Sequence, residues 1–540
     1  MEIKKFWFLF LVLIIEGSSL MAVELLGAKL LAPFFGSSLY VWTAVLSITV
    51  LGLTLGYYSG GRLSSKHVTQ KLLILILSIA ALLIYALPAT ASLLISITSG
   101  MGLISGICIA SFFLLVPPMF CFGLIGPLVV RLMVQKMETL GNIAGIVYFI
   151  STLSGILATF LFGFYLIPES GLKFSALITA FSLIIPPVVY LIKTTFSHKT
   201  EIPVTEVQQE NPEKNRPKAK TKSNKKLNTS VYYYAALEGA TVMAVELIAA
   251  RMLAPYFGSS LFVWVTVIGI TLFSLALGYY LGGRLGDKYA QLSVVYWALL
   301  IASVFLMFMH YSSQRLTLAF TEMKLNTAIG LVSLLLILPP LVFLGMVPTL
   351  LIRFLTAKID DAGLITGRVF TISSASGIIA LPVIGFYIIP QYGLTMPSIL
   401  TGLVVGSIPF LKLLNEKKYI SLLFIVFFLV SLSQRNFISS SPDLRILAYN
   451  EGLLGQVLVA DVFKNGAGAQ TNDRLLFINR MGQTFVDNNT HNSKWNYITF
   501  SSAIVSKLPE NSKALVLGLG GGSVANVLQN NLKFSVDAVE

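Results

Sequence analysis

Four acidic residues stand inside otherwise apolar stretches of this sequence: Glu16 and Glu24 near its start, and Glu238 and Glu246 further along. Eight residues advance a helix by about 12 Å and leave the two side chains about 80° apart, so both carboxylates of a pair can face one interior. A carboxylate within a bilayer costs several kcal/mol unless it is paired, protonated or hydrated. The four residues are therefore intramembrane candidates for a cation or proton path, one pair in each half.

A structural alternative stays open for the same carboxylates. Lys29 and Arg251 each lie five residues after the second carboxylate of a pair. That spacing turns a helix by about 140°, which is poor geometry within one helix but allows an ion pair through a neighbouring helix. An arginine of a neighbouring helix, or a role in helix packing, would also be structural. In the functional interpretation, Glu24 and Glu246 face each other across the bundle axis, and a bound cation offsets their repulsion.

Membrane helices must position these residues. The chain has 540 residues, of which 55% are hydrophobic and 11% are charged, whereas a soluble protein carries about 25% charged residues. Apolar runs long enough to span a bilayer recur along the chain, and in lipid such runs are helical because no other backbone partner is available. They cover residues 7–31, 40–60, 71–92, 101–124, 143–166, 173–193, 232–253, 262–282, 291–310, 327–350, 365–388 and 394–413, with a shorter run at 419–433.

The membrane region is a tandem duplication. Residues 16–66 and 238–288 are about 60% identical, far above chance for apolar sequence, and the register continues without a gap. An even number of helices in each copy gives both copies the same orientation, as in the two halves of a major-facilitator transporter. We predict an all-α polytopic bundle of two parallel six-helix repeats, at 1–194 and 231–434, with the lipid bilayer as its partner.

The segment between the repeats, residues 195–230, is polar and rich in lysine, which predicts a disordered linker. The linker, the Lys4-Lys5 start and the basic loops after alternate helices all fall on one side. By the positive-inside rule the N-terminus and the linker are cytoplasmic, and the protein is expected in the plasma membrane. This topology accounts for the net charge of +14, so a nucleic-acid partner is not needed to explain it.

A glycine-rich, basic stretch follows the second helix of each copy, at Gly60–Leu63 and Gly282–Lys288. It resembles the major-facilitator signature between the second and third helices, where glycines permit close packing and charges lock neighbouring helices. The alternative interpretation is an ordinary basic turn on the cytoplasmic side.

The composition changes after about residue 434. A strand is expected within 446–462, two strands round a turn at 474–487, and a helix near 495–507. A short strand, 513–517, then leads into a glycine loop, a helix near 524–529 and a strand at 534–539. We predict a β-rich part at 435–512 and an incomplete Rossmann-like nucleotide-binding start at 513–540. No metal site is predicted.

This layout resembles the spermidine synthase family of polyamine aminopropyltransferases, and the membrane half, with LLAPFFGSSLYVW and LGYYLGGRL, resembles bacterial proteins that fuse such a domain to a major-facilitator-like bundle. The resemblance implies decarboxylated S-adenosylmethionine as a co-substrate, with no tightly bound cofactor. Matched to the family motifs, Gly518, Gly520, Gly522 and Glu540 would bind the cofactor, and Gln483 would lie near the amine. Gly521 stands where the family usually has aspartate, and the catalytic acidic residue would lie beyond the chain end.

Three functional hypotheses follow. The first is a membrane-bound spermidine-synthase-like enzyme that transfers an aminopropyl group to putrescine. The alternatives are a major-facilitator-like transporter of polyamines or other cations, whose C-terminal domain is regulatory or vestigial, and a membrane scaffold without turnover. The run 419–433 bears on the choice. If it crosses the membrane, the C-terminal segment lies outside, away from a cytosolic co-substrate.

Overall fold

The computed structural model describes residues 3–36, 39–65, 68–196, 225–258, 261–320, 322–434, 444–452, 455–466, 469–479, 481–490 and 492–539. The described part of the first copy is helical, as the apolar runs predict. Its helices are α1 (Ile3–Phe35), α2 (Leu39–Ser64), α3 (Gln70–Thr98), α4 (Leu103–Met133), α5 (Leu140–Leu161) and α6 (Ile167–Phe196). A π-helical segment, Phe162–Leu166, joins α5 to α6.

The second copy repeats this plan at a constant offset. Its helices are α7 (Lys225–Phe257), α8 (Leu261–Lys288), α9 (Leu292–Met307), α10 (Met309–Ala319), α11 (Leu325–Leu355), α12 (Ala362–Pro382), α13 (Ile389–Tyr392) and α14 (Thr395–Asn415), followed by the additional helix α15 (Leu423–Ser433). The π-helical segment recurs after α12, at Val383–Ile388. The duplication predicted from sequence is therefore also a structural one.

These helices make the chain a multi-pass membrane protein. Within the described ranges, nine helical stretches are long and apolar enough to cross a membrane, or ten if the bent pair α9 and α10 forms one span. One stretch, Met137–Thr194, is 58 residues long, about three bilayer thicknesses if it were straight. The chain breaks at Gly171, whose φ of +78° is outside the helical region, so this stretch contains two crossings, α5 and α6.

Small residues bring the helices of each half together. In the first half α1 packs on α5 and α2 on α4, and in the second half α7 packs on α12 and α8 on α11. A Cβ added at Gly56 would lie 2.7 Å from the Gly123 Cα, and one at Gly278 would lie 2.8 Å from the Gly345 Cα. Close backbone approach through glycine is a common way for membrane helices to associate.

The two halves meet through α2 with α12 and through α5 with α8. Gly60 and Gly61, which we expected in a turn, are instead helical, because α2 continues to Ser64. Their role is close packing. A Cβ at Gly367 on α12 would lie 2.6 Å from the Gly61 Cα, and one at Gly283 on α8 would lie 2.5 Å from the Gly141 carbonyl oxygen. The equivalent stretch Gly282–Lys288 is likewise the last part of α8 rather than a turn.

The halves differ in the third helix. In the first copy α3 runs unbroken through Pro88, whereas in the second copy the equivalent region bends by 57° between α9 and α10. The additional helix α15 packs on α9 and α14. On α14, Gly406 leaves room for the Phe424 ring, which an added Cβ would approach to 2.2 Å.

The C-terminal region is rich in strands, as predicted, but residues 446–462, where one strand was expected, belong to two strands. An antiparallel sheet is formed in sequence order by β1 (Leu444–Gly452), β2 (Gly455–Gly466), β3 (Ala469–Ile478) and β4 (Met481–Asp487). After α16 (Asn496–Val505), the strands β5 (Lys513–Leu517) and β6 (Ser535–Val539) pair in parallel. The short helix α17 (Ser523–Asn526) lies between them in the sequence. A Rossmann-like fold is not shown by this region. The described residues of 513–539 form only a two-stranded parallel sheet, in which Leu515 and Leu517 are 63% and 77% exposed.

The helices on either side extend into both ends of the predicted linker. We expected disorder over 195–230, but α6 continues to Phe196 and α7 begins at Lys225. Residues 197–224 of the predicted linker lie outside the described residues.

Candidate functional site

A cavity of about 210 Å³ lies between the two halves of the membrane bundle. Both halves line it with residues at equivalent positions of α1 and α7, α2 and α8, and α5 and α12. The polar and aromatic lining consists of Glu16, Glu24, Tyr57, Phe122, Tyr148, Ser151, Thr152, Glu238, Glu246, Tyr279, Phe370, Ser373 and Ser374. The four carboxylates predicted from sequence are therefore brought to one site.

Glu16 and Glu238, which we call the inner carboxylates, are each held by a serine of the same half. Ser151 Oγ donates a hydrogen bond to Glu16 Oε2 at 2.8 Å, and Ser373 Oγ donates one to Glu238 Oε2 at 2.7 Å. These contacts connect α1 to α5 and α7 to α12. They are possible because the glycine after each glutamate lets the helices touch: a Cβ at Gly239 would lie 2.0 Å from the Ser373 carbonyl oxygen.

The outer carboxylates, Glu24 and Glu246, line the same cavity from opposite halves, and both are 8% exposed. In the part of the chain that the structure describes, the ion pairs do not join either residue to Lys29 or Arg251. Arg251 Nε is buried without a hydrogen-bond partner among the described residues. Among the described side chains, Glu24 and Glu246 therefore do not form the direct ion pairs of the structural alternative.

Aromatic rings from both halves close the cavity beside the inner carboxylates. Tyr148 stacks on Phe370 with ring centroids 4.0 Å apart, and Tyr57 packs on Phe370 at 5.5 Å. Tyr279 lies 5.9 Å from Tyr148. In the repeat, Tyr57 is equivalent to Tyr279 and Tyr148 to Phe370. The cluster therefore combines two pairs of equivalent positions across the interface between the halves.

The cavity lining contains four carboxyl groups and no basic side chain, since Lys, Arg and His are missing from the described residues that line it. Carboxylates in a low-dielectric cavity favour a cation or a proton. Among the described residues, no three His, Cys, Asp or Glu side chains come together as a metal site would require. The site thus combines separated carboxylates with aromatic faces, which attract organic cations through their π-electrons.

Sequence reasoning missed the serines and the aromatic rings. Ser151 and Ser373, and Tyr57 and Tyr279, are identical residues at equivalent positions of the two copies. Extending the search for repeated polar residues from the first and seventh helices to the other helices would have found them. Their pairing with the carboxylates depends on which helices touch, and the repeat alone does not predict those contacts.

The C-terminal candidates are partly brought together. Gly518, Gly520 and Gly522 have positive φ angles, and the Gly521 N–H donates to Thr484 Oγ1 at 2.9 Å. The glycine turn therefore rests on β4, where Gln483 is exposed beside Thr484. Glu540 lies outside the described residues. A cofactor role for this turn stays a prediction.

No family model and no curated protein matches the sequence. Among solved structures, a bacterial homologue of the iron transporter ferroportin, in an outward-facing state, is 17% identical, with a TM-score of 0.49 over 80% of this chain and 100% of that chain. A proton:xylose symporter of the major facilitator superfamily, XylE bound to 6-bromo-6-deoxy-D-glucose, is 12% identical, with a TM-score of 0.47 over 77% of this chain and 96% of that one. Similarity at this level assigns no substrate to this chain.

Proposed function

We propose that this protein is a membrane transporter that carries a cationic solute through the cavity between its two halves. The observation that carries the proposal is the arrangement of four carboxylates, two from each repeat, around one cavity. This is the transporter alternative of the sequence analysis, and it replaces aminopropyl transfer as the leading function. The described C-terminal strands form two small sheets, which do not by themselves support catalysis by a Rossmann domain.

Close contacts between the halves lie on both sides of the cavity, as alternating access requires. Towards the linker end of the bundle, Gly61 meets Gly367, as described above. Near the opposite end, a Cβ at Gly163 would lie 2.8 Å from a methyl carbon of Val265, and one at Gly385 would lie 2.9 Å from Thr43 Oγ1. The cavity lies between these two sets of contacts. A solute would enter or leave when one set separates while the other stays closed.

The chemistry of the lining favours a flexible aliphatic polyamine over a metal ion. The carboxylates do not gather into a metal cluster in the described residues. Along one helix, the carboxylates of a pair are separated by about 12 Å, which suits ammonium groups joined by an aliphatic chain. Apolar residues between them, such as Leu20, Met21 and Leu272, offer that chain a surface.

The proposal includes a location and an orientation. Basic residues concentrate in the linker and in the loops at the same end of the bundle. By the positive-inside rule that end is cytoplasmic. We therefore place the protein in the plasma membrane with its N-terminus and linker in the cytoplasm.

Neutralising the outer carboxylates tests the proposal. Because a polyamine in this cavity would lose partners from both halves, Glu24→Gln combined with Glu246→Gln should reduce spermidine uptake by proteoliposomes at least about tenfold. The melting temperature in detergent should stay close to that of the wild type. The matched control is Glu416→Gln, which makes the same change in an exposed residue paired with Lys418 at 2.8 Å. If the double variant melts far lower but its uptake per folded molecule is normal, the carboxylates have a structural role.

A further inference from the structure

We infer that the C-terminal region, residues 444–539, lies on the extracytoplasmic side of the membrane, opposite the linker, and that residues 419–433 carry the chain across. The path of α15 and the contacts of the first two strands indicate this side, whichever solute the cavity binds.

The path of α15 follows α9 from one end to the other. Lys418, just before this segment, contacts Ser293 at the start of α9. Near the end of α15, Ser431 Oγ donates a hydrogen bond to the Met307 carbonyl oxygen at 2.8 Å, where α9 ends. The two helices therefore run in the same direction over the length of α9. Its 16 residues correspond to about 24 Å, most of the hydrocarbon thickness.

The surface of α15 suits a helix at the edge of a membrane bundle. No residue from Leu423 to Ser433 is charged. One side is buried, with Phe424 stacked on Phe410 of α14 at 5.5 Å. Other side chains point away from the protein, including Val426 and Leu429, which are 53% and 59% exposed. Apolar exposure of this extent is suited to lipid.

The strands independently indicate the same side. β1 contacts α13, and β2 contacts α7. The near end of α12 begins at Ala362, next to Asp360, which forms an ion pair with Arg131. Helix α13 follows the other, far end of α12. The near end is on the basic, linker side of the bundle, because α7, α8, the α9–α10 pair and α11 make four crossings between the linker and α12. The fifth crossing, α12, brings the chain to α13 on the opposite face. A sheet that contacts α13 is therefore at the opposite face.

This placement has a consequence for the chemistry of the C-terminal region. Any ligand of the glycine turn at Gly518–Gly522 would have to come from the extracytoplasmic side. A cytosolic co-substrate such as decarboxylated S-adenosylmethionine would not reach it. Strand β1 of the C-terminal sheet instead contacts α13, which begins four residues after Gly385, the residue that meets Thr43 of the other half.

Labelling of single cysteines tests the inference in the full-length protein. The background carries Cys108→Ser and Cys121→Ser, which remove both native thiols. Three variants are compared: Glu510→Cys in the exposed loop before β5, Glu169→Cys at the exposed start of α6 on the same predicted side, and Lys220→Cys in the linker. A membrane-impermeant maleimide is added to right-side-out and to inverted vesicles.

In right-side-out vesicles, Glu510→Cys and Glu169→Cys should be labelled and Lys220→Cys should not. Inverted vesicles should give the reverse, and all three should react after denaturation. Labelling of Glu510→Cys with the same sidedness as Lys220→Cys would overturn the inference. As a second readout, deletion of residues 419–433 should switch the labelling of Glu510→Cys to the inverted vesicles, and unchanged labelling would also overturn the assigned crossing. Neither result depends on transport activity.

Discussion

At the scale of single residues, the inner carboxylates depend on two serines. Replacing Ser373 by Ala removes the hydroxyl that donates to Glu238 at 2.7 Å and leaves a buried carboxylate with one partner fewer. Loss of a hydrogen bond to a buried polar group costs about 1–3 kcal/mol, so we expect a lower melting temperature in detergent. The control is Ser407→Ala, which removes an exposed hydroxyl bonded to its own helix on α14. Equal effects of the two substitutions would contradict a role for Ser373 in holding Glu238.

The same residues show how far the sequence alone can predict the site. A glutamate is costly in an apolar helix, so Glu16, Glu24 and their repeat partners could be identified by hydropathy. Serine is ordinary in membrane helices and gives no such signal. Ser151 became part of the site only because α1 packs on α5, at a contact where Gly17 would clash with the Ser151 carbonyl oxygen if it had a Cβ.

At the scale of helices, glycine contacts within each half should limit which substitutions the bundle accepts. Gly239→Ala would place a Cβ 2.0 Å from the Ser373 carbonyl oxygen and force α7 away from α12. Overpacking of this kind costs about 1–3 kcal/mol. Gly330→Ala on α11 is the matched control, because nothing lies within 4 Å of the added Cβ, and alanine favours a helix by about 1 kcal/mol. The melting temperature should fall for Gly239→Ala and should not fall for Gly330→Ala. Similar melting temperatures would contradict the close α7–α12 contact.

The contact between the halves at the linker end includes two acidic residues of different burial. Asp287 on α8 accepts hydrogen bonds from the N–H groups of Gly141 and Asn142, at 2.9 and 2.8 Å, where α5 begins. Its side chain is 15% exposed, whereas that of Asp360, paired with Arg131, is 82% exposed. Exposed ion pairs contribute little because solvent screens them. Asp287→Ala should therefore loosen the contact between the halves at the linker end more than Asp360→Ala.

Hydrogen exchange at the start of α5 measures this difference. Faster exchange over residues 140–145 is expected for Asp287→Ala, with a smaller change for Asp360→Ala. The reverse order would show that the buried hydrogen bonds to α5 do not hold the halves together. The first copy has Ser65 at the position equivalent to Asp287, so this contact is present in one half only.

The helix plan was predictable in type and number of apolar runs, but its details were not. Both repeats have the period and length of membrane spans, so their helices follow from the cost of unsatisfied amides in lipid. The bend between α9 and α10 was not predictable. It falls at Phe308 with no proline nearby, whereas Pro88 at the equivalent region of α3 leaves that helix unbroken. The bend lies where Phe308 packs against Phe427 of α15, a contact that only the tertiary structure shows.

At the scale of the whole molecule, the duplication explains why one cavity receives charge from both halves. Identical positions in parallel repeats are related by a two-fold axis along the membrane normal. A single glutamate position in the ancestral repeat therefore supplies two carboxylates to the shared interface. The C-terminal region breaks the symmetry, since among the described residues α15 and the sheets follow the second half only. Sequence could predict strands there, but the side of the membrane depended on whether 419–433 forms a crossing.

Counterflow by the purified wild-type protein in proteoliposomes tests directly whether it transports cations. Labelled putrescine is compared with the neutral diol of the same carbon chain, because the two differ in charge and little in size. We expect accumulation of putrescine above protein-free liposomes, competition by spermidine, and no accumulation of the diol, since the cavity presents carboxylates without basic side chains among its described lining residues. Equal behaviour of putrescine and the diol, or no accumulation of either, would contradict a cation transporter.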